Sequence, residues 1–212
     1  MKGITFSTVH TYRDFGLILT KKEIGSPAVK ENKLDIPGTD GSIDMTDFFG
    51  EPKYENVIHK FEFSALVSPG EAPALFSRVK NALHGKKRKI ILDDDPAFYY
   101  VGRCHVSSYT DEKGIGKLSI ECDCEPYKYK ISKTAITIAI NGTQTVTLTN
   151  ARKRAVPAIT ATGAMTIGFG GGSWSISAGT YTIPELELAE GDNPVEVTGA
   201  GSITFTWQEG DL

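Results

Sequence analysis

The side chains of residues 57–67 alternate between two faces, and this pattern constrains the fold more than any other feature of the chain. A period of two is that of an extended strand with one buried side. One side is formed by Val57, His59, Phe61, Phe63, Ala65 and Val67. The same alternation returns over residues 118–124, where Leu118 and Ile120 share a side with two cysteines. These two segments predict two strands, each with one face toward a core.

One helix is predicted between the two strands, over Ala72–His84. Its apolar residues are spaced by four, Pro73 lies near its start and Gly85 follows its end, which is a typical pair of helix boundaries. Earlier in the chain, Ile4–Val9 and Phe15–Thr20 are predicted to be short strands joined by a turn. The N-terminal part is therefore expected to be mainly β with one helix.

After residue 130 the composition changes. Charged residues fall from 38 of the first 130 residues to 11 of the remaining 82. Short apolar alternations follow one another without a helix, and Asn141-Gly142 is a strong hairpin signal between two of them. Around eight strands in about 80 residues predict a compact β-sandwich. We therefore expect two domains, 1–130 and 131–212.

Charge and hydropathy limit the class of protein. The net charge is −3, and the first 130 residues carry 19 basic and 19 acidic side chains. No apolar run approaches the ~18 residues of a membrane span, so no membrane association is expected. The N-terminus has no apolar signal-peptide segment, which favours synthesis in a cytoplasm.

The sequence offers little chemistry for catalysis. Three cysteines do not make a disulfide framework, and they are expected to be reduced and buried. The four histidines lack the spacing of metal ligands, and no nucleophile or phosphate-binding motif occurs. Glu185 and Glu187 are expected to be neighbours on one face of a strand, with no third group to shift either pKa. We expect no enzyme activity, no cofactor and no metal.

Residues 21–56 are rich in turn-forming residues and poor in apolar ones. A stretch of this length inside a compact domain is either functional or an extended hairpin that a neighbour supports. We predict an arm whose partner is another subunit.

Two charged runs have more than one interpretation. Asp93-Asp94-Asp95 is expected to be a solvated turn rather than a cation site, since consecutive residues point in different directions. Lys86–Lys89 is expected to be a solvated connection rather than a phosphate site. The same basic run, paired with the aspartates of an adjacent copy, would also suit a subunit interface.

Three blocks of sequence, at 38–54, 90–103 and 121–129, resemble the N-terminal domain of siphophage distal tail proteins (Dit). That family has a similar Gly-x-Asp-Gly-x-x-Asp opening, an Asp-rich turn before an aromatic strand and a Cys-x-Pro-Tyr-x-Tyr exit. The matching residues, which are also candidate subunit-interface residues, are Gly38, Asp40, Gly41, Asp44, Gly50, Tyr54, Asp93, Asp94, Gly102, Pro126 and Tyr127.

The resemblance implies an N-terminal β-sandwich or split-barrel-like domain with one helix and an extended arm, followed by a small galectin-like β-sandwich. It implies a virion protein of the tail tip: a hub of six copies, in one or two rings, that joins the tail tube protein to tip or baseplate proteins. DNA would only pass through the central channel.

Two other functions are open at the level of sequence. A carbohydrate-binding module that contacts the host cell surface would need exposed aromatic side chains. Trp174 and Trp207 alternate with apolar residues and are instead expected to lie in the core. A tail-associated hydrolase would need clustered polar residues in a cleft.

Overall fold

The chain forms two compact units, Met1–Pro126 and Tyr127–Leu212. The computed structural model describes residues 2–48, 50–68, 70–112 and 114–212. Strands make up 58% of the chain and helices 8%, so the prediction of a mainly β fold is confirmed.

The N-terminal unit is built around one antiparallel sheet. Its helices are α1 (Thr11–Phe15) and α2 (Ala72–Leu83). Its strands are β1 (Ile4–Phe6), β2 (Val9–His10), β3 (Ile18–Glu23), β4 (Lys33–Asp35), β5 (Ser42–Asp44), β6 (Val57–Leu66), β7 (Lys87–Leu92), β8 (Asp95–Glu112) and β9 (Ile115–Cys124). The strand order in the sheet is β2-β1-β7-β8-β9-β6-β3.

The two segments with the clearest alternation form adjacent strands, β6 and β9. Phe61 pairs with Ile120 across them, and both side chains are fully buried. Helix α2 contributes Val79 and Leu83 to the same core. Because each strand buries only one face, apolar and polar residues alternate along its sequence.

The predicted turn between the first strands is wrong, because residues 11–15 form helix α1. His10 Nδ1 accepts the backbone N–H groups of Tyr12 and Arg13 at 3.2 and 3.1 Å, which caps the helix start. Asp14 accepts the N–H of His10 at 2.7 Å, and Gly16, with φ +68°, ends the helix. Five residues are too few for a periodic signal.

The C-terminal unit is a second antiparallel sheet system. Its strands are β10 (Lys128–Lys130), β11 (Thr134–Asn150), β12 (Ala158–Ala161), β13 (Met165–Phe169), β14 (Gly172–Ile176), β15 (Gly179–Thr182), β16 (Gly191–Trp207) and β17 (Gly210–Asp211). β11 pairs with the whole of β16, while β12 and β13 pair with different halves of β16 on its other side.

The hairpin predicted at Asn141-Gly142 is wrong, since β11 continues through both residues. Gly142 pairs with Gly199 of β16 and has φ +89°. Both halves of β16 contribute to one core, through Val197 in the first half and Phe205 in the second. The glycines therefore mark a bend across which the sheet encloses that core, rather than a chain reversal.

Both tryptophans belong to the core of this unit. Trp207 is 2% exposed, and Trp174 is half-buried and packs against the same cluster. The predicted strand around Glu185 and Glu187 is wrong: residues 184 and 185 form a turn, and Glu187 binds Arg154 at 3.2 Å.

Candidate assembly surface

Residues 24–56 leave the end of β3 and return to the start of β6, and we call this segment the arm. Its outer part is a two-stranded hairpin in which β4 and β5 pair from Lys33–Asp44 to Asp35–Ser42. The connection contains Gly38 and Gly41, with φ +86° and +76°. Such angles favour glycine, which explains the two glycines of the predicted motif at this position.

The root of the arm is held by backbone hydrogen bonds. Gly25 donates its N–H to Nδ1 of the buried His59 at 3.2 Å. Val29 and Tyr54 form an antiparallel bridge. Beside it, Lys30 donates to the carbonyl of Lys53 at 2.7 Å and Glu55 to that of Ala28 at 2.8 Å. The two sides of the arm are therefore paired from root to tip.

The outer hairpin has two different faces. Leu34 and Ile43 pair across the strands on one face and are 51% and 49% exposed, and Ile36 beside them is 42% exposed. The opposite face carries Lys33, Asp35, Ser42 and Asp44. A lone two-stranded hairpin is marginally stable in water, so an uncovered apolar face is suited to a contact with another surface.

The arm is acidic. It contains seven acidic and three basic side chains. Hydrogen bonds from the hydroxyl and N–H of Thr46 lower the pKa of Asp44, so this carboxylate is charged at neutral pH. In the described part of the chain, the side chains of Asp40 and Asp47 have no hydrogen-bond or ion-pair partner. The arm thus presents acidic groups next to its apolar face.

The other motif residues lie away from the arm. Asp93 accepts hydrogen bonds from the N–H of Gly3 at 2.7 Å and from His10 Nε2 at 3.1 Å, and Asp94 pairs with Lys22. Burial alone would raise the pKa of Asp93, but the contacts with His10 and Gly3 bring it below its usual value. Both aspartates therefore have partners within their own chain.

The remaining motif residues, Gly102, Pro126 and Tyr127, also lie outside the arm. Gly102 lies directly opposite Cys124 on β9, where a side chain would collide with Cys124 Sγ and would lie 2.9 Å from the carbonyl of Asp123. Pro126 is the last residue of the N-terminal unit. The rings of Tyr127 and Tyr129 lie 6.0 and 4.8 Å from Lys153 Nζ.

The cysteines are free and buried, as predicted. Cys104 and Cys122 face each other with 3.7 Å between their sulfur atoms, and contact with Cys104 together with burial raises the pKa of Cys122. Burial raises the pKa of Cys124 to about 12. Cys122 and Cys124 are therefore protonated at neutral pH, whereas the contact with Cys122 lowers the pKa of Cys104. All three side chains are buried and pack as small apolar residues.

Within the residues that the structure describes, no group of three or more His, Cys, Asp or Glu side chains is placed to hold a metal ion. Neither helix among them has the length and apolar character that a membrane crossing requires.

Sequence reasoning located the arm but missed its apolar face. Lys33-Leu34-Asp35 and Ser42-Ile43-Asp44 each place one apolar residue between two polar ones. Three residues are too few to show a period of two, but two such triplets around a glycine-rich turn could have indicated the hairpin.

Comparison with known proteins bears on the fold. No family model matches this sequence, and no curated protein matches it. A solved structure does match: the SPP1 Dit protein (gp 19.1), described as a paradigm of the hub adsorption apparatus in phages that infect Gram-positive bacteria. The match has a TM-score of 0.71 and covers 98% of this chain and 99% of that chain, at 14% sequence identity.

This chain has the Dit fold. The resemblance predicted from the sequence is confirmed at that level, and the structural match covers both units. At this identity a shared Dit fold does not establish a shared function.

Proposed function

We propose that this chain is a structural subunit of a phage tail hub and that it assembles into a ring of identical copies. The ring would join the tail tube protein to tip or baseplate proteins and leave a central channel through which DNA passes. The match to SPP1 Dit over nearly the whole chain supports this role. A structural role also needs no catalytic group.

One observation carries the assembly part of the proposal. The arm exposes Leu34, Ile36 and Ile43 on one face of an ordered hairpin. Burying about half of a leucine or isoleucine side chain contributes on the order of 1 kcal/mol, so three such residues give a useful share of a subunit contact. In a ring of identical copies, each arm would find the same complementary surface on its neighbour.

The sugar-binding alternative has weaker support. An aromatic platform for a sugar ring needs an exposed face, whereas Trp207 is 2% exposed and Trp174 packs against the core.

The proposal is tested with a double variant of the arm, Leu34→Asp with Ile43→Asp. Light scattering after size-exclusion chromatography should give the mass of about six chains for the wild type, and electron microscopy should show an open ring. The variant should be monomeric with nearly unchanged thermal unfolding, because both side chains are already half exposed.

A matched control carries Ile131→Asp and Val156→Asp in the C-terminal unit, where the side chains are 47% and 37% exposed. This variant should form rings like the wild type. A wild type that stays monomeric at the highest concentration reached would refute the ring, and rings formed by the arm variant would refute the role of the arm.

A further inference from the structure

Three cations lie together at the C-terminal end of helix α2. Lys86 Nζ donates to the carbonyl of Asn81 at 2.6 Å, Arg88 Nη2 to that of Ala82 at 3.0 Å, and Arg103 Nη1 to that of Gly85 at 2.6 Å. The end of a helix carries a partial negative charge, which lets the three cations lie close together. We call Lys86, Arg88 and Arg103 the cationic cluster.

The hydrogen bonds position the cationic cluster without neutralising it, because backbone carbonyls carry no formal charge. Across the described parts of the chain, none of its three members has a carboxylate within salt-bridge distance; the nearest basic neighbour, Lys87, pairs with Glu125 at 2.6 Å. Lys86 and Arg103 are exposed, and Arg88 is half-buried. Arg88 Nε is buried and has no partner within the described chain. The cluster therefore presents fixed positive charge with no ion pair in the described chain; the acidic residue next to it is Asp123, which lies opposite Arg103 on β9.

The earlier hypothesis paired this basic run with Asp93–Asp95 of an adjacent copy. Two of those aspartates already have partners within their own chain, Asp93 with His10 and Asp94 with Lys22. The arm is a better source of carboxylates. It has seven acidic and three basic residues, whereas the rest of Met1–Pro126 has twelve acidic and fourteen basic ones.

We infer that the cationic cluster of one copy binds the acidic part of the arm of a second copy, with Asp40 and Asp47 as its principal partners. This inference rests on the proposed ring and specifies which surface receives the arm. Neither aspartate has a partner in its own chain as far as the structure describes it, so the contact breaks no existing ion pair. Charge pairs of this kind fix the register of a contact whose affinity comes from the apolar face.

The test uses charge exchange in the full-length protein. Lys86→Glu with Arg103→Glu, and separately Asp40→Lys with Asp47→Lys, should each weaken ring formation by about tenfold or more, because like charges then face each other. A protein with all four substitutions should recover rings, since the charges are complementary again. Association of the wild type should weaken as salt is raised.

Two further variants separate this effect from damage to α2. Lys86→Gln with Arg103→Gln keeps N–H donors for the helix carbonyls, so it should fold normally and still assemble less well. Lys133→Glu reverses an exposed lysine of the C-terminal unit and should assemble like the wild type.

The outcomes distinguish the inference from the proposed function. If the wild type forms rings and the reversed variants form them equally well, the docking surface is wrong and the ring stands. If the four-substitution protein does not recover, the pairing is wrong. A DNA oligonucleotide that binds the wild type but not the glutamine variant, with rings intact in both, would identify a nucleic-acid site and also overturn the inference. A monomeric wild type refutes the proposed function itself.

Discussion

At Glu209 an almost fully buried carboxylate is stabilised by two partners. Lys130 Nζ lies 2.6 Å from Oε2, and the hydroxyl of Thr134 donates to Oε1. Burial by itself would raise the pKa of Glu209, but the hydrogen bonds from Lys130 and Thr134 and the charge of Lys130 bring the pKa below its ordinary value of 4.5. The charged form is thus favoured in the folded state.

This lowered pKa predicts an acid-sensitive C-terminal unit. A depressed folded-state pKa contributes stability above pH 4.5, the unfolded value, and that contribution disappears as the pH falls through the folded value. Glu209→Gln should lower the free energy of unfolding at neutral pH by about 1–2 kcal/mol, a figure reduced because water screens the exposed Lys130. The variant should also lose less of its free energy of unfolding than the wild type as the pH falls below 4.5.

Tryptophan fluorescence measures this effect directly, since both tryptophans belong to the C-terminal unit. Glu187→Gln is the matched control: its pair with Arg154 is exposed on both sides and should contribute less than about 0.5 kcal/mol. Equal pH profiles for the wild type and Glu209→Gln would show that this carboxylate does not control acid stability.

The sequence alone could not predict which side chains contact each other in pairs such as these. The turn at Asp93 was predicted, but its contact with Gly3 spans 90 residues and its contact with His10 spans 83. No local pattern encodes a pairing over that distance. Only the assembled sheet brings β1, β2 and β7 together.

At the scale of elements, the sequence predicted what burial imposes. β6, β9 and α2 each have one buried face, so their apolar residues repeat with the period of the element. The outer hairpin of the arm has no buried residues in its strands, so no period was visible there. The hairpin prediction at Asn141-Gly142 was wrong because β11 pairs with β16 along its whole length, and that pairing overrides a local turn preference.

The bend in β11 gives a prediction about Gly142. Its φ of +89° is strained for any residue with a Cβ, although open space surrounds the position. Gly142→Ala should therefore destabilise the C-terminal unit by about 1–2 kcal/mol through backbone strain alone. Denaturant unfolding followed by tryptophan fluorescence gives the value, and Gln144→Ala at a nearby exposed position should change it by much less. Stability unchanged by Gly142→Ala would mean that the bend does not depend on glycine.

At the scale of the whole molecule, the two units have separate cores and different chemistry. The core of Met1–Pro126 combines sheet residues with α2, and that of Tyr127–Leu212 comes mainly from strands. Most charged side chains, and the arm, belong to the first unit. This division suits a molecule in which one unit assembles and the other is carried by it.

The boundary between the units leads to a final prediction. Sequence composition predicts it after residue 130; in the structure β10 (Lys128–Lys130) pairs with β17, and Lys130 binds Glu209. A fragment of residues 127–212 should therefore fold as a monomer, whereas residues 131–212 should be less stable by about 1–3 kcal/mol, since they lose a strand and leave Glu209 without its cation. Size-exclusion chromatography and fluorescence-detected unfolding compare the two fragments. Equal stabilities would show that residues 127–130 do not stabilise the C-terminal unit, and self-association of the longer fragment would place part of the assembly surface in that unit.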